Sequence, residues 1–257
     1  AIDLYNLLLK NHPESSLAPK VQSELAELNV DSGAQDQVIA GLSATLEKVK
    51  KEPLREELRY QLASAHFKKA DHTNAAGQFE KLLEDYPQSR FLASMHFQAG
   101  ESQLQLKQIE KAQAHFAAAA MIQGSPQSLV ESITMRLAET QALTGQHSEA
   151  AASYQAFLEK SPQSRWTRNA RFGFAFSTEN AGDPTSALAE YAKILDEPKT
   201  DLWTVRSRFQ TGSCNAKLEK HDQAVIDFVK VEISYPQYPR WQAEAVLEIG
   251  RILLSQN

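Results

Sequence analysis

An alanine followed four residues later by Phe or Tyr recurs along this chain at a nearly fixed interval, and that interval limits the possible folds more than any other feature. The pairs are Ala1/Tyr5, Ala75/Phe79, Ala112/Phe116, Ala150/Tyr154, Ala187/Tyr191 and Ala224/Phe228. From Phe79 onward the rings step by 37, 38, 37 and 37 residues. Tyr5 and Phe79 are two such steps apart, and the missing member falls at Val38/Leu42, apolar but without a ring. Twelve residues before each alanine register stands a small residue: Ala26, Ala63, Gly100, Ala138, Ala175 and Gly212, with Gly250 next in line. A proline follows each unit, at Pro13, Pro53, Pro87, Pro126, Pro162, Pro198 and Pro236. Registers locked together over six periods define a tandem repeat.

Each position has a physical reading. Between prolines the apolar residues recur at helical spacing, as in Phe79, Leu82 and Leu83. Proline cannot continue a helix and pushes its predecessor out of the helical region, so it closes the second helix of each unit. In the tripeptide Pro-Gln-Ser, at 87–89, 126–128 and 162–164, the Ser is expected to cap the next first helix. Short polar breaks such as Ala70-Asp71-His72-Thr73 turn the chain between the two helices. The small residue and the alanine mark the closest approach of two backbones, and the ring fills the space between one pair and the next. Such a hairpin buries its core only by stacking on its neighbours.

The unit resembles the tetratricopeptide repeat. That pattern is a small residue in the first helix, Ala twelve later, an aromatic four after that and Pro eight further on. Gly212, Ala224, Phe228 and Pro236 match at every spacing, as do Ala63, Ala75, Phe79 and Pro87. The unit at Gly100 has its proline two residues late, the unit at Ala26 lacks Ala and aromatic, and the period is about 37 against the family's 34. The resemblance implies an all-α, right-handed superhelical solenoid of about six helix hairpins over residues 1–257. Residues 1–13 and 240–257 read as half-units, so the chain is expected to be a fragment of a longer protein. The wording of junctions such as Tyr86-Pro87-Gln88-Ser89 resembles bacterial cell-envelope members of the superfamily, so a periplasmic or envelope setting is expected, with the cytoplasm as the alternative.

Composition narrows the function by exclusion. With 27 Lys+Arg against 32 Asp+Glu the net charge is -5, so no basic excess tracks a nucleic-acid backbone. No run of eighteen apolar residues would span a membrane. His72, His147 and His221 each stand three residues before the repeat's alanine, one unit apart rather than converging, so no metal site is expected. The single Cys214 lies two residues after Gly212 on the packed side of a first helix, where it reads as a buried thiol. No phosphate loop and no nucleophile–base constellation is present, and the chain reads as a non-enzyme without a cofactor.

Surface recognition remains. In the family the first helices line the concave face, and its ligand-facing positions lie three before, one after, and four and five after the small residue. The resemblance therefore places Tyr60, Phe97, Met135, Phe172 and Phe209 in one row and Ser64, Glu101, Glu139, Phe176 and Ser213 in a second. Such rings either form an apolar groove for a peptide or pack between adjacent first helices. A basic cluster of Arg165, Arg168, Arg171, Arg206, Arg208 and Arg240 suits an acidic peptide or a C-terminal carboxylate, or else inter-repeat salt bridges to Glu179 or Asp201. The Lys and Asn of carboxylate-clamp tetratricopeptide domains are replaced here by rings, Ser and Glu. The expected function is a protein–protein interaction scaffold in a bacterial envelope complex, with an identity for the partner left open. The alternatives are a regulatory or targeting segment of a larger enzyme or receptor, and self-association through the terminal half-units.

Overall fold

The computed structural model describes residues 2–18, 20–21, 24–25 and 34–256. Among these there are thirteen α-helices and no strand. Ala1 and Ala26 lie outside the described residues. The helices are α1 (Ile2–Asn11), α2 (Ala34–Lys48), α3 (Glu52–Lys68), α4 (His72–Asp85), α5 (Leu92–Gln105), α6 (Ile109–Ala120), α7 (Gln127–Leu143), α8 (His147–Lys160), α9 (Thr167–Asn180), α10 (Pro184–Leu195), α11 (Leu202–Lys217), α12 (His221–Ser234) and α13 (Pro239–Ser255). Two compact units, Ala1–Ile133 and Thr134–Asn257, divide the chain.

The repeat registers become packing positions in both units. In the first, Ala63, Ala75 and Phe79 are buried with Leu82, Met95 and Ala99, which joins the hairpin α3–α4 to α5. In the second, Phe172, Ala175, Ala187, Tyr191, Ile194 and Cys214 join α9–α10 to α11, and Ala224, Phe228 and Val231 join α12 to Ala245 and Ile252 of α13. Burying one such ring contributes about 1.5–3 kcal/mol. The small residue is required by the ring sixteen positions later. A Cβ at Gly100 would stand 2.7 Å from the Phe116 ring, and one at Gly212 would stand 2.8 Å from Phe228. Gly173 has the same duty toward Tyr154, 2.3 Å away, although the repeat pattern does not single it out.

Five inter-helix turns share one geometry. Ala70, Lys107, Gly145, Gly182 and Glu219, each seven residues after the small position, adopt φ between 60° and 99°. The following amide donates to a carbonyl five residues back, from Asp71 to His66, Gln108 to Gln103, Gln146 to Gln141, Asp183 to Thr178 and Lys220 to Asn215. This left-handed close satisfies carbonyls that the helix end leaves open. Prolines end the second helices as the sequence predicts, with Pro87, Pro162 and Pro236 just beyond α4, α8 and α12. Two prolines differ: Pro53 occupies the first turn of α3, where its missing N–H costs nothing, and Pro126 lies well beyond the end of α6 and directly before α7.

The Ser of Pro-Gln-Ser is not the N-cap. Ser89 Oγ accepts from the Phe91 amide at 2.9 Å and Ser164 Oγ from Trp166 at 3.3 Å, so each shapes a turn ahead of the helix. The cap positions themselves fall to Phe91 and Trp166.

Candidate functional site

The first row of predicted ligand residues is mostly occupied by the fold. Each ring sits on the ring nineteen residues later in its own hairpin: Tyr60 on Phe79 at 6.2 Å, Phe97 on Phe116 at 5.9 Å, Phe172 on Tyr191 at 5.8 Å and Phe209 on Phe228 at 5.1 Å between centroids. Three of them also meet an aromatic at the start of the next first helix. Tyr60 stacks on Phe91 at 4.6 Å, Phe172 meets Trp203 at 5.3 Å and Phe209 meets Trp241 at 5.2 Å. Met135 is 5% exposed and Phe172 3%, so these two belong to the core and offer almost no surface. Tyr60, Phe97 and Phe209 are half-buried.

Sequence reasoning missed the partners of this row, although a signal exists. Nine residues before each small position stand Leu54, Phe91, Leu129, Trp166, Trp203 and Trp241, which include all three tryptophans of the chain. The second row is more open. Phe176 is half-buried and lies parallel to Phe172, 6.0 Å away at 15°. Ser64 and Ser213 are half-buried, and Glu139 pairs with Arg136 at 2.7 Å.

The basic cluster divides by partner. Arg168 is held by Glu197, by Asp201 at 3.2 Å and by the Thr204 hydroxyl at 3.0 Å, joining α9 to the capping box of α11. Arg171 pairs with Glu190 at 3.2 Å and Arg208 lies 3.7 Å from Asp227. Both turn into their own hairpin, because the carboxylate nineteen residues on faces them. Of the two expected carboxylates, Asp201 takes Arg168, while Glu179 binds Lys217 at 2.8 Å and accepts from the Tyr191 hydroxyl at 2.9 Å. Arg240 bonds Glu244 at 2.9 Å, Arg251 bonds Glu248, and the exposed Arg165 lies over Trp166 at 4.9 Å.

Arg206 differs from all of these. It has neither an ion pair nor a hydrogen bond among the described residues, and its Nε is sealed from solvent without an acceptor. The guanidinium lies over the Phe172 ring at 4.2 Å and over Trp203 at 5.1 Å. Burial lowers its pKa, opposed by the phenols of Tyr191 and Tyr154 and reinforced by Arg240.

The first unit carries a variation on the Arg–carboxylate pairs. His96 and His115 hold the places of Arg171/Glu190 and Arg208/Asp227, with their Nδ1 atoms 3.1 Å apart. In the neutral pair one ring donates and the other accepts. Burial, reinforced by His115, brings the pKa of His96 down to about 4. His115 is also lowered, chiefly by burial, with Glu80 opposing and Lys111 adding to the effect.

His72, His147 and His221 open α4, α8 and α12 separately. Among the described residues no group of three His, Cys, Asp or Glu side chains could hold a metal ion, and no helix is long and apolar enough to cross a membrane. Cys214 is fully buried, and burial with Glu179 nearby pushes its thiol pKa well up.

Comparison with known proteins agrees with this architecture. The tetratricopeptide repeat family matches residues 57–89 and 135–164. Among solved structures, YrrB, described as a TPR protein with an unusual peptide-binding site, superposes with a TM-score of 0.64 at 15% identity, covering 81% of this chain and 99% of that one. The C-terminal part of a TPR repeat-containing protein from Cytophaga hutchinsonii gives a TM-score of 0.66 at 13% identity, over 90% of this chain and 87% of that one. A tetratricopeptide repeat protein from Parabacteroides merdae gives 0.54 at 14% identity, over 96% and 91%. These likenesses are of fold. No curated protein matches the chain in sequence.

Proposed function

We propose that this chain, which carries tetratricopeptide repeats in each of its two compact units, is a non-catalytic protein-interaction scaffold that takes a segment of a partner along its first helices. One observation carries the reading. The packing registers hold nearly the same residue types in every repeat, whereas the position just after the small residue runs Ser64, Glu101, Glu139, Phe176, Ser213. A fixed frame with a changing face suits a surface selected for recognition, since stability alone gives no reason for the change. Phe176 and Phe209 are its half-buried apolar points in the second unit. The junction wording favours a bacterial envelope complex, and a targeting segment of a larger enzyme is the alternative setting.

Crosslinked capture from envelope and cytosolic extracts tests this. Wild type is compared with Phe176→Ser and with a control on the second helices, Ile226→Ser/Ile233→Ser, both positions being exposed. A partner retained by the control and lost by Phe176→Ser is the expected result. Equal capture by all three proteins would refute recognition by the first-helix face. A second reading, self-association, has its own observation: α13 leaves Val246, Leu247 and Leu254 exposed, at 49%, 54% and 79%. Light scattering over a concentration series decides it, and a monomer throughout excludes it.

A further inference from the structure

We infer that Arg206 anchors a carboxylate-binding subsite on the first-helix face of the second unit, reading an acidic group of the bound segment. This rests on the scaffold reading and adds the chemistry of the ligand.

The argument begins with charge. Every other half-buried arginine described in this unit faces a carboxylate of the same unit, and Arg206 faces rings. A guanidinium removed from water without an acceptor is unfavourable, and ring faces replace only part of the lost hydration. The sealed Nε shows that the protein itself supplies no acceptor on the buried side, and the two terminal nitrogens, which are not sealed, have no acceptor among the described residues either. An incoming anion would supply one to the terminal nitrogens, and Arg presents there the fork that matches a carboxylate.

A second donor stands in the same field. The Tyr154 ring is pinned against Gly173, and its hydroxyl has no hydrogen-bond partner among the described residues. Burial, with Glu139 next in effect, raises its pKa, so the phenol keeps its proton and can donate it. The Phe172 ring beneath the Arg206 guanidinium is the chain neighbour of Gly173, against which the Tyr154 ring packs, so the two donors flank one turn of α9. One cation and one neutral donor, with no acceptor of their own to satisfy, match a monoanion. A phosphate dianion would call for a second unpaired cation, and Arg136, Arg208 and Arg240 are already taken. Phe176, stacked on Phe172 beneath the guanidinium, gives an apolar neighbour of the acidic group a place to rest.

An acidic side chain and a free C-terminus offer the same carboxylate, and three labelled pentapeptides separate them. The first is Leu-Glu-Phe-Glu-Leu, amidated. The second has Gln for Glu and is amidated, and the third is the Gln peptide with a free C-terminal carboxylate. Fluorescence anisotropy measures each against wild type and Arg206→Met, whose flexible stem still covers the rings. The first or third peptide should bind wild type at least tenfold more tightly than the second, and Arg206→Met should erase that preference. Indole emission from Trp203 should shift on binding of the charged peptide. The variant's melting temperature without ligand should not fall, whereas a purely structural Arg206 would lower it. The inference is overturned if the Gln amide binds wild type as tightly as the charged peptides, or if the preference survives in Arg206→Met. Failure of all three to bind at millimolar concentration also overturns it. None of these outcomes bears on the capture experiment, which judges the scaffold reading separately.

Discussion

The His96–His115 pair makes a pH prediction whose size follows from the structure. An unfolded chain protonates His near 6.5, whereas in the folded unit burial and the neighbouring ring bring His96 to about 4. Below about 6.5 the unfolded state therefore binds the proton more readily, and stability falls as pH drops through that window, levelling off near the folded value. The full shift would correspond to about 3 kcal/mol. The ring is only partly withdrawn from water, so solvent screening reduces this to about 1–2 kcal/mol, roughly half of it lost by pH 5. In a unit of this size that is about 2–6 °C in melting temperature between pH 7.5 and 5. Lys111 and Glu80 act on His115 in opposite senses, so the desolvation of the two rings dominates.

Two measurements check the reasoning. An NMR titration of the ring Hε1 resonances should place the His96 midpoint well below 6. Melts of wild type and His96→Gln at both pH values should show the variant losing less. Replacing the pair by His96→Arg/His115→Glu, in imitation of Arg171/Glu190 and Arg208/Asp227, should abolish the dependence in this window. The carboxyl of Asp71 is held below its usual range chiefly by its hydrogen bond from Asn74, so its own loss lies at more acidic pH. A His96 midpoint at 6 or above, or identical melts for wild type and His96→Gln, would refute the argument.

Three further outcomes are expected. Gly212→Ala should cost about 1–3 kcal/mol in urea unfolding, because its Cβ would meet the buried Phe228 ring at 2.8 Å, while Gly77→Ala, with open space around it, should gain about 0.5–1 kcal/mol. Ala70→Gly, Lys107→Gly and Glu219→Gly each relieve a left-handed side chain and should raise stability by about 0.5–1 kcal/mol, whereas Gly182→Ala at the matching turn should lower it. Cys214 should react with a thiol reagent only through opening of its unit, so labelling at neutral pH should be far slower than that of an exposed thiol and should accelerate with denaturant.

The frame was legible because its residues repeat for one reason each. Gly100 and Gly212 make room for a ring, Ala75 and Ala224 are small enough to be fully buried beside one, and Pro87 and Pro236 stand just past the end of a helix. The turn geometry was not legible, because its left-handed residue is Gly in two hairpins but Ala70, Lys107 and Glu219 in three, and no residue type announces the position. The Leu54–Trp241 register escaped for the same reason, since Leu, Phe and Trp all fill one gap between hairpins. Row membership also failed to separate open surface from core. Phe172 and Phe176 are one helical turn apart, yet Trp203 and Tyr191 cover the first, and its stacked neighbour stays half-open.

The arginines show what would have been needed. Arg168, Arg171, Arg206 and Arg208 crowd one stretch of sequence, and the cluster alone does not say which of them are available. One rule sorts most of the face: in these hairpins a first-helix residue meets the residue nineteen positions later. It pairs Tyr60 with Phe79, Phe97 with Phe116, His96 with His115, Arg171 with Glu190 and Arg208 with Asp227. Applied to Arg206 it reaches Val225, an apolar residue that cannot take the charge. Arg168 escapes the rule by reaching forward to Asp201, at the cap of the next first helix. The position that supplies a carboxylate to Arg171 and Arg208 thus supplies none to Arg206, and its guanidinium lies over Phe172 and Trp203 instead, a difference that residue type and crowding in the sequence do not announce.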